Sequence, residues 1–438
     1  MILDFLPRSA RPLVLGIALG ISVSVSSSAV LQYFQRRRRR IALSQSQIPA
    51  LESRPIELRS DEVLDGIVGL IGNTPLVRIP SLSNALNVEI LAKAEYLNPG
   101  GSVKDRVAVR MIDDAERQGL LHPHTGSRIF EGTSGSTGIS LAMVGHARGY
   151  DVTIITPDDM ASEKLHALLS LGADVEQVRP ASIVDKKQFV NIAKQRALAF
   201  ASTSSTSVVS GLGDSIAVLT DTDARGFFAD QFENKSNYDA HFDGTGPEVW
   251  RQTNGNVKAF VSGAGTGGTI AGVGRFLKSM DEDVVICLAD PDGSGLYNKV
   301  KHGVMFDQRE KEGTKRRHQV DTVVEGIGLN RLTQNIELAL PIIDDAFRIT
   351  DPEAVAMARY LVKHDGLFIG SSSACNLVAC VRLVKKMGWH SGERIVTVIC
   401  DSGARHHSKF WNDEYLRTAQ IPIDLSIIDD MLANKPST

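Results

Sequence analysis

The chain has 438 residues, 42% of them hydrophobic and 23% charged, with a formal net charge of -3 at neutral pH. That length buries at least one large core and favours two domains over one, and the near-balanced charge excludes a dedicated nucleic-acid binder. The four cysteines, Cys287, Cys375, Cys380 and Cys400, form no Cys-x-x-Cys and no metal-ligand spacing with histidine, and most sit in apolar contexts, so they read as reduced core thiols in a reducing compartment and no metal site is expected.

Residues 1–40 differ from the rest. A mostly uncharged run from Leu13 to Ile21 continues through a serine-rich half to Ala29-Val30-Leu31. About 20 apolar residues span a bilayer as one helix. Arg8 and Arg11 precede the run and Arg36 to Arg40 follow it, and the heavier positive flank stays cytoplasmic. This predicts one N-terminal transmembrane helix, a single-pass anchor with the C-terminal body facing the cytosol. Modest hydrophobicity with basic flanks points to the mitochondrial outer membrane. The mitochondrial matrix, the endoplasmic reticulum membrane and a signal peptide cleaved near Ser26–Ala29 stay open as alternatives. Residues 41–59 are polar and read as a linker before a soluble body, 60–438.

In the body, Ile67 to Ile71 reads as a short helix, Gly72-Asn73-Thr74-Pro75 as a turn, and the residues after it as a strand. Val88 to Ala92 is strand-like and breaks at Asn98-Pro99-Gly100-Gly101. Ser102 stands as an N-cap before a helical pattern, so Lys104 falls in the first turn of a helix. The partial positive charge there disfavours an ammonium. A lysine with a lowered pKa can join a carbonyl covalently and then act as a general base.

Strands are expected at 127–131, 151–156, 174–178, 257–261, 284–289, 367–369 and 394–400. Helices are expected at 139–148, 162–171 and 270–278, and one opens at Thr245 with Pro247 near its start. The alternation predicts an α/β fold with parallel sheet. From Phe200 to Thr222 the rhythm fails, and Ser/Thr richness reads as a flexible insertion.

Three strand-to-helix loops carry polar groups. Gly263 to Thr269 gathers backbone N–H groups at a helix start, a phosphate-binding arrangement. Gly263-x-Gly265-x-x-Gly268 also matches the dinucleotide fingerprint, with Asp290 ending the next strand, so a nicotinamide dehydrogenase competes here. Thr133-Ser134-Gly135-Ser136-Thr137-Gly138 offers N–H groups and hydroxyls to a carboxylate. Ser371-Ser372-Ser373 is the third loop. A loop for a phosphate, one for a carboxylate, one for a ring nitrogen and a lysine for an aldehyde together describe pyridoxal phosphate chemistry. The dehydrogenase has no use for Lys104 or the Thr133 loop.

From about Asp61 to Trp411 the chain resembles the cysteine synthase / cystathionine β-synthase family of fold-type II pyridoxal phosphate enzymes. The shared motifs are Ile71 to Leu76, Asn98-Pro99 through Ser102-Val103-Lys104-Asp105-Arg106, the Thr133 loop and Gly246-Pro247-Glu248. Further along are Gly265 to Thr269, Glu325 to Gly328, the Ser371 region and Asp401-Ser402-Gly403. The N-terminus resembles that of fungal mitochondrial cysteine synthase-like proteins. The resemblance implies a tryptophan synthase β-like fold of two parallel-sheet α/β subdomains, a homodimer, and small-molecule substrates. It implies that Lys104 holds the cofactor aldehyde and is catalytic. Gly265, Thr266, Gly267, Gly268 and Thr269 would hold its phosphate, and Ser372 its pyridine nitrogen. Thr133, Ser134 and Thr137 would clamp the substrate carboxylate. The implied reaction converts O-acetyl-L-serine and sulfide to L-cysteine and acetate, with freed Lys104 taking the Cα proton. Alternatives are cystathionine β-synthase-like thiol exchange, serine dehydration, or a membrane scaffold that binds the cofactor with weak catalysis.

The chain departs from the family pattern in four places. Ser136 replaces an Asn that touches cofactor and substrate, so Ser136 is read as a cofactor-site residue with altered substrate choice. Ala374 stands where Gly is common, His406-His407 replaces an aromatic–Leu pair, and the 200–222 segment is not a family feature.

Overall fold

A computed structural model describes residues 63–181, 183–204, 224–307 and 322–433. The expected anchor and linker, and residues 205–222 of the expected insertion, lie outside the described residues. Among the described residues no helix is long and apolar enough to cross a membrane.

The strands form two sheets. The larger has the order β1-β2-β10-β7-β8-β9, with β1 at Leu76–Arg78, β2 at Glu89–Ala94, β7 at Ala259–Gly263, β8 at Val285–Pro291, β9 at Asp345–Ile349 and β10 at Arg394–Ile399. Only β1 runs antiparallel, on β2; the other pairings are parallel. The smaller sheet, β5-β4-β3-β6, is parallel throughout. It comprises β3 at Arg128–Gly132, β4 at Asp151–Pro157, β5 at Asp174–Val178 and β6 at Gly226–Phe228. The expected α/β architecture with two parallel-sheet subdomains is present.

Strands buried on both faces read as continuous apolar runs, and β7 and β10 are of that kind. Successive side chains alternate faces. Ala259, Val261, Ile395 and Ile399 pack in one core with the helices Asp351–Asp365 and Ser371–Met387. Phe260, Val396 and Val398 point the other way and are equally buried. The smaller sheet packs Ile129, Val152 and Ile154 against the helices Lys104–Arg117 and Ser136–Ala147. Its other face takes the helix Phe189–Ser204, where Phe130 and Phe200 have ring centroids 5.8 Å apart.

Four expectations change. Residues 200–204 continue the helix Phe189–Ser204 instead of opening an irregular insertion. Leu367 to Ile369 forms no sheet strand: Ile369 makes a single antiparallel bridge to Ser402, and the Phe368 ring packs tilted against Trp411 with centroids 4.6 Å apart. Pro247 does not open a helix out of coil. Ser236–Ala240, a π-helical turn His241–Thr245 and Gly246–Gln252 run on continuously, and the wider turn absorbs the missing proline N–H. Ser102 is not the N-cap; Val103 is, although Ser102 Oγ still accepts from the Lys104 N–H at 3.3 Å.

Candidate active site

Parallel sheets present the C-terminal ends of their strands, and the helix N-termini that follow them, on one edge. Here that edge carries the Lys104 turn after β2, the Thr133 loop after β3, the Gly263 loop after β7 and residues 400–406 after β10.

The lysine turn rests on a buried ionic cluster. Arg106 donates through Nε to Glu95 Oε2 at 2.7 Å and through Nη2 to Glu95 Oε1 at 2.8 Å. It donates to Glu248 through Nη1 at 2.7 Å and Nη2 at 2.8 Å. Lys93 Nζ lies 2.6 Å from Glu248 Oε2. Glu248 Oε1 accepts from the Asn73 N–H at 2.9 Å, and Asn98 Oδ1 from the Gly72 N–H at 2.8 Å. Three stretches far apart in sequence thus meet in one scaffold under the turn. Burial alone would raise the Glu248 pKa, but Arg106 and Lys93 hold it well below the ordinary carboxylate range.

Lys104 is partly exposed at this edge. Among the described residues no ion pair or hydrogen bond engages its Nζ. Burial lowers its pKa, against opposing pulls from Cys400 and Asp401. Asp105 beside it is fully buried, accepting from the Gly100 N–H at 2.6 Å and from Ser140 Oγ at 2.5 Å.

The Gly263–Thr269 loop is closely packed at its glycines. A Cβ on Gly265 would sit 2.0 Å from the Gly326 carbonyl oxygen, and Gly267 has φ +95°. The loop therefore lies tight under the Glu325–Gly328 segment, with Gly328 N–H donating to Ala264 O at 2.8 Å. The helix Gly268–Met280 that follows has no side-chain cap, which leaves its first-turn N–H groups to an anion. Thr266 Oγ1 accepts from Asn237 Nδ2 at 2.8 Å, and Thr269 Oγ1 lies 3.2 Å from His241 Nε2. His241 Nδ1 lies 2.9 Å from Thr245 Oγ1. Burial and the nearby Lys104 charge push His241 down to about 3, so it is a neutral imidazole.

Thr133 and Thr137 are buried, and Ser134 is exposed. Thr137 Oγ1 donates to the Gln231 side-chain oxygen at 2.6 Å. The Gln231 carbonyl accepts from Asn237 Nδ2 at 2.8 Å, so Gln231 and Asn237 tie the Thr133 loop to the Gly263 loop. Ser136 Oγ accepts from Arg405 Nη1 at 3.4 Å, and Arg405 also reaches the Gly100 carbonyl. Ser372 is buried, and the Oγ of its neighbour Ser373 accepts from the Cys400 N–H at 2.9 Å. All three expected loops thus connect to the Lys104 edge through short chains of contacts.

Asp290 is not placed for a ribose. It is fully buried, its Oδ2 accepting from the Tyr297 N–H at 2.7 Å, and burial pushes it up to about 7. That removes the acid the dinucleotide reading needs. Cys400 departs from the core-thiol reading, being partly exposed at this edge. His406, buried, pairs through Nε2 with Asp401 Oδ2 at 3.0 Å, whereas His407 is exposed beside Phe368. Asn237, His241 and Arg405 are site residues that sequence reasoning missed. The sequence offered no local signal for them, because each is marked only by a contact with a residue far away in the chain.

A lysine with a lowered pKa stands beside an uncapped helix start behind close-packed glycines and a loop of hydroxyls. Residues 67–401 match the model of the pyridoxal-phosphate dependent enzyme family, and the chain belongs to that family and uses pyridoxal phosphate. It is 50% identical over 413 residues to cysteine synthase 2 of Schizosaccharomyces pombe, covering 93% of this chain and 98% of the relative. Against cysteine synthase 2 of Emericella nidulans the identity is 57% over 350 residues, 80% of each chain. A Saccharomyces cerevisiae relative, provisionally named a mitochondrial cysteine synthase, is 51% identical over 80% of this chain and 84% of its own.

Proposed function

We propose that the chain is a cysteine synthase that replaces the acetate of O-acetyl-L-serine with sulfide, giving L-cysteine. One observation carries the assignment of roles: Lys104, its ammonium disfavoured, acts on His241, whose Nε2 lies 3.2 Å from Thr269 Oγ1 at an uncapped helix start behind closely packed glycines. Bound pyridoxal phosphate supplies an electron sink for the pair left at the substrate Cα. Lys104 holds the cofactor aldehyde, then takes the Cα proton on its freed Nζ. Gly265, Thr266, Gly267, Gly268 and Thr269 bind the phosphate, and Ser372 meets the ring nitrogen as a neutral partner. Thr133, Ser134 and Thr137, at the N-terminus of the helix Ser136–Ala147, bind the substrate carboxylate.

Ser136 supports a second reading of substrate choice. It is shorter than the family Asn and sits against Arg405, which opens the pocket to L-serine with a larger thiol. The absorbance spectrum of the purified chain, before and after O-acetyl-L-serine and then sulfide, tests both. A band that shifts and is restored, with cysteine as product, supports cysteine synthesis. A band that answers only to L-serine and homocysteine supports the second reading. Loss of turnover in Lys104→Ala with the fold intact by circular dichroism checks the lysine.

Residues 1–40 anchor the enzyme in the mitochondrial outer membrane with residues 60–438 in the cytosol, as a homodimer. The apolar run from Leu13, its arginine flank and the name of the Saccharomyces relative support this. Resistance to carbonate extraction, together with protease sensitivity in intact mitochondria, is the expected result. Light scattering reads the dimer.

A further inference from the structure

Two helical stretches pass each other closely behind the Gly263 loop. Gly268 and Gly272, one turn apart on the helix Gly268–Met280, face residues 236–245. A Cβ on Gly268 would sit 2.0 Å from Asn237 Oδ1, and one on Gly272 would sit 2.6 Å from His241 Cβ. Asn237 and His241 are likewise one turn apart, and both are buried. The missing side chains let the two backbones approach, which sets a polar side chain behind each threonine of the loop.

Asn237 meets Thr266. Its amide is oriented by a group that can only accept: Nδ2 donates to the Gln231 carbonyl at 2.8 Å. The NH2 end is therefore the one that also lies 2.8 Å from Thr266 Oγ1. The Gly268 N–H reaches the same oxygen at 3.5 Å. Both contacts use lone pairs of Thr266, and neither uses its proton. His241 meets Thr269. Nε2 lies 3.2 Å from Thr269 Oγ1, and Nδ1 lies 2.9 Å from Thr245 Oγ1.

Thr245 is fully buried, and among the described residues its hydroxyl meets no other partner than this ring. A buried hydroxyl keeps its proton in a hydrogen bond, so Thr245 donates to Nδ1. A neutral imidazole carries one proton, and a nitrogen that accepts leaves it on the other. His241, whose ring nitrogens meet only hydroxyls, is thus protonated on Nε2 and donates to Thr269. We propose that Asn237 and His241 are positioning residues for the cofactor phosphate: by donating to Thr266 and Thr269, they leave both threonine protons for the phosphate oxygens. The inference rests on the reading of Gly265 to Thr269 as the phosphate site.

The test compares the dissociation constants of pyridoxal phosphate and of pyridoxal, which lacks the phosphate, titrated into the full chain freed of cofactor. Losing one hydrogen bond to a charged group weakens binding about tenfold or more. Thr269→Val and His241→Leu should each weaken pyridoxal phosphate by that factor. Pyridoxal should stay within about twofold of the wild type, a split that a merely structural role does not give. Thr266→Val and Asn237→Leu should behave alike. His241→Gln keeps a donor near the Nε2 position and should restore most of the affinity. His241→Leu added to Thr269→Val should cost little more, because the proton to be oriented is gone. Long-range proton–nitrogen NMR spectra of the holoenzyme, isotope-labelled in its histidines, read the tautomer: the signal lost in His241→Gln should carry its proton on Nε2. Where Leu at 241 prevents folding, this spectrum decides. A proton on Nδ1 overturns the inference, as do additive losses in the double variant. Unchanged pyridoxal phosphate binding in His241→Leu or Asn237→Leu, beside a selective loss in the threonine variants, overturns it and leaves the phosphate site standing. A loss in Thr269→Val that pyridoxal shares, or no loss there, overturns the phosphate site and the inference with it.

Discussion

Replacing Glu248 by Ala tests whether the ionic cluster is what holds the lysine turn. The carboxylate neutralises two buried cations: it takes both Nη groups of Arg106 at 2.7 and 2.8 Å and lies 2.6 Å from Lys93 Nζ. Without it, Glu95 alone faces Lys93 and Arg106, and one positive charge stays uncompensated in a buried site. Breaking such a pair costs about 3–5 kcal/mol. Unfolding entropy near 2.1 cal/mol/K per residue, over the roughly 380 residues of Glu57–Thr438, converts this to a fall in Tm of about 5 °C. Thermal melts of wild type and variant by circular dichroism at one scan rate read it. The pH dependence has a definite sign. The Glu248 pKa is depressed in the fold, so its stabilisation is complete above the unfolded value, about 4.3, and is lost only as pH falls through the folded one. The gap between the two proteins should be flat from about pH 5 to pH 8 and close in stronger acid. A Tm within about 1 °C of the wild type at pH 7 would refute the cluster as a support.

Gly265→Ala brings a Cβ to 2.0 Å from the Gly326 carbonyl, so the phosphate loop should open and cofactor retention after gel filtration should fall at least tenfold. Asp105, raised by burial to about 6, ionises in the unfolded chain first, so stability is lost between about pH 4 and pH 6. Asp105→Asn should remove that loss, on the order of 3 kcal/mol at pH 7, as read by urea midpoints across pH. Cys400, pushed up to about 11 by burial and Asp401, stays a thiol near neutral pH. Cys400→Ser should keep kcat within a few-fold, and iodoacetamide should label Cys400 far more slowly than free cysteine.

The strands and loops legible in the sequence were those with strong local signals. Asp174–Val178 and the glycine loops around Gly135 and Gly265 stood out through alternation or punctuation. The edge strand Asp345–Ile349 did not, because an edge needs only a short and partly polar segment. The helix Phe189–Ser204 was not anticipated and its end was read as insertion, because serine and threonine lower helix propensity while its packing against β3 and β6 outweighs that locally weak signal. Lys104 and the phosphate loop were visible because each sits on a sharp turn. Gln231, Asn237, His241 and Arg405 carry no local mark. What makes them site residues is contact with Thr137, Thr266, Thr269 and Ser136, far away in the chain. The same distance explains why Gly72-Asn73 and Gly246-Pro247-Glu248 looked like separate turns although they share one carboxylate.

The π-helical turn at His241–Thr245 makes residue count a functional quantity. It holds one residue more than an α-helical turn, between the helix that carries Asn237 and the helix that carries Glu248. Deleting that residue would keep the helix and its hydrogen bonds, yet rotate everything beyond it by roughly 100° about the axis. Glu248 would swing away from Arg106 while Asn237 stayed on Thr266. Phasing between the Asn237–Thr266 contact and the Glu248–Arg106 contact is therefore written in chain length, and this stretch should tolerate substitution better than a gap.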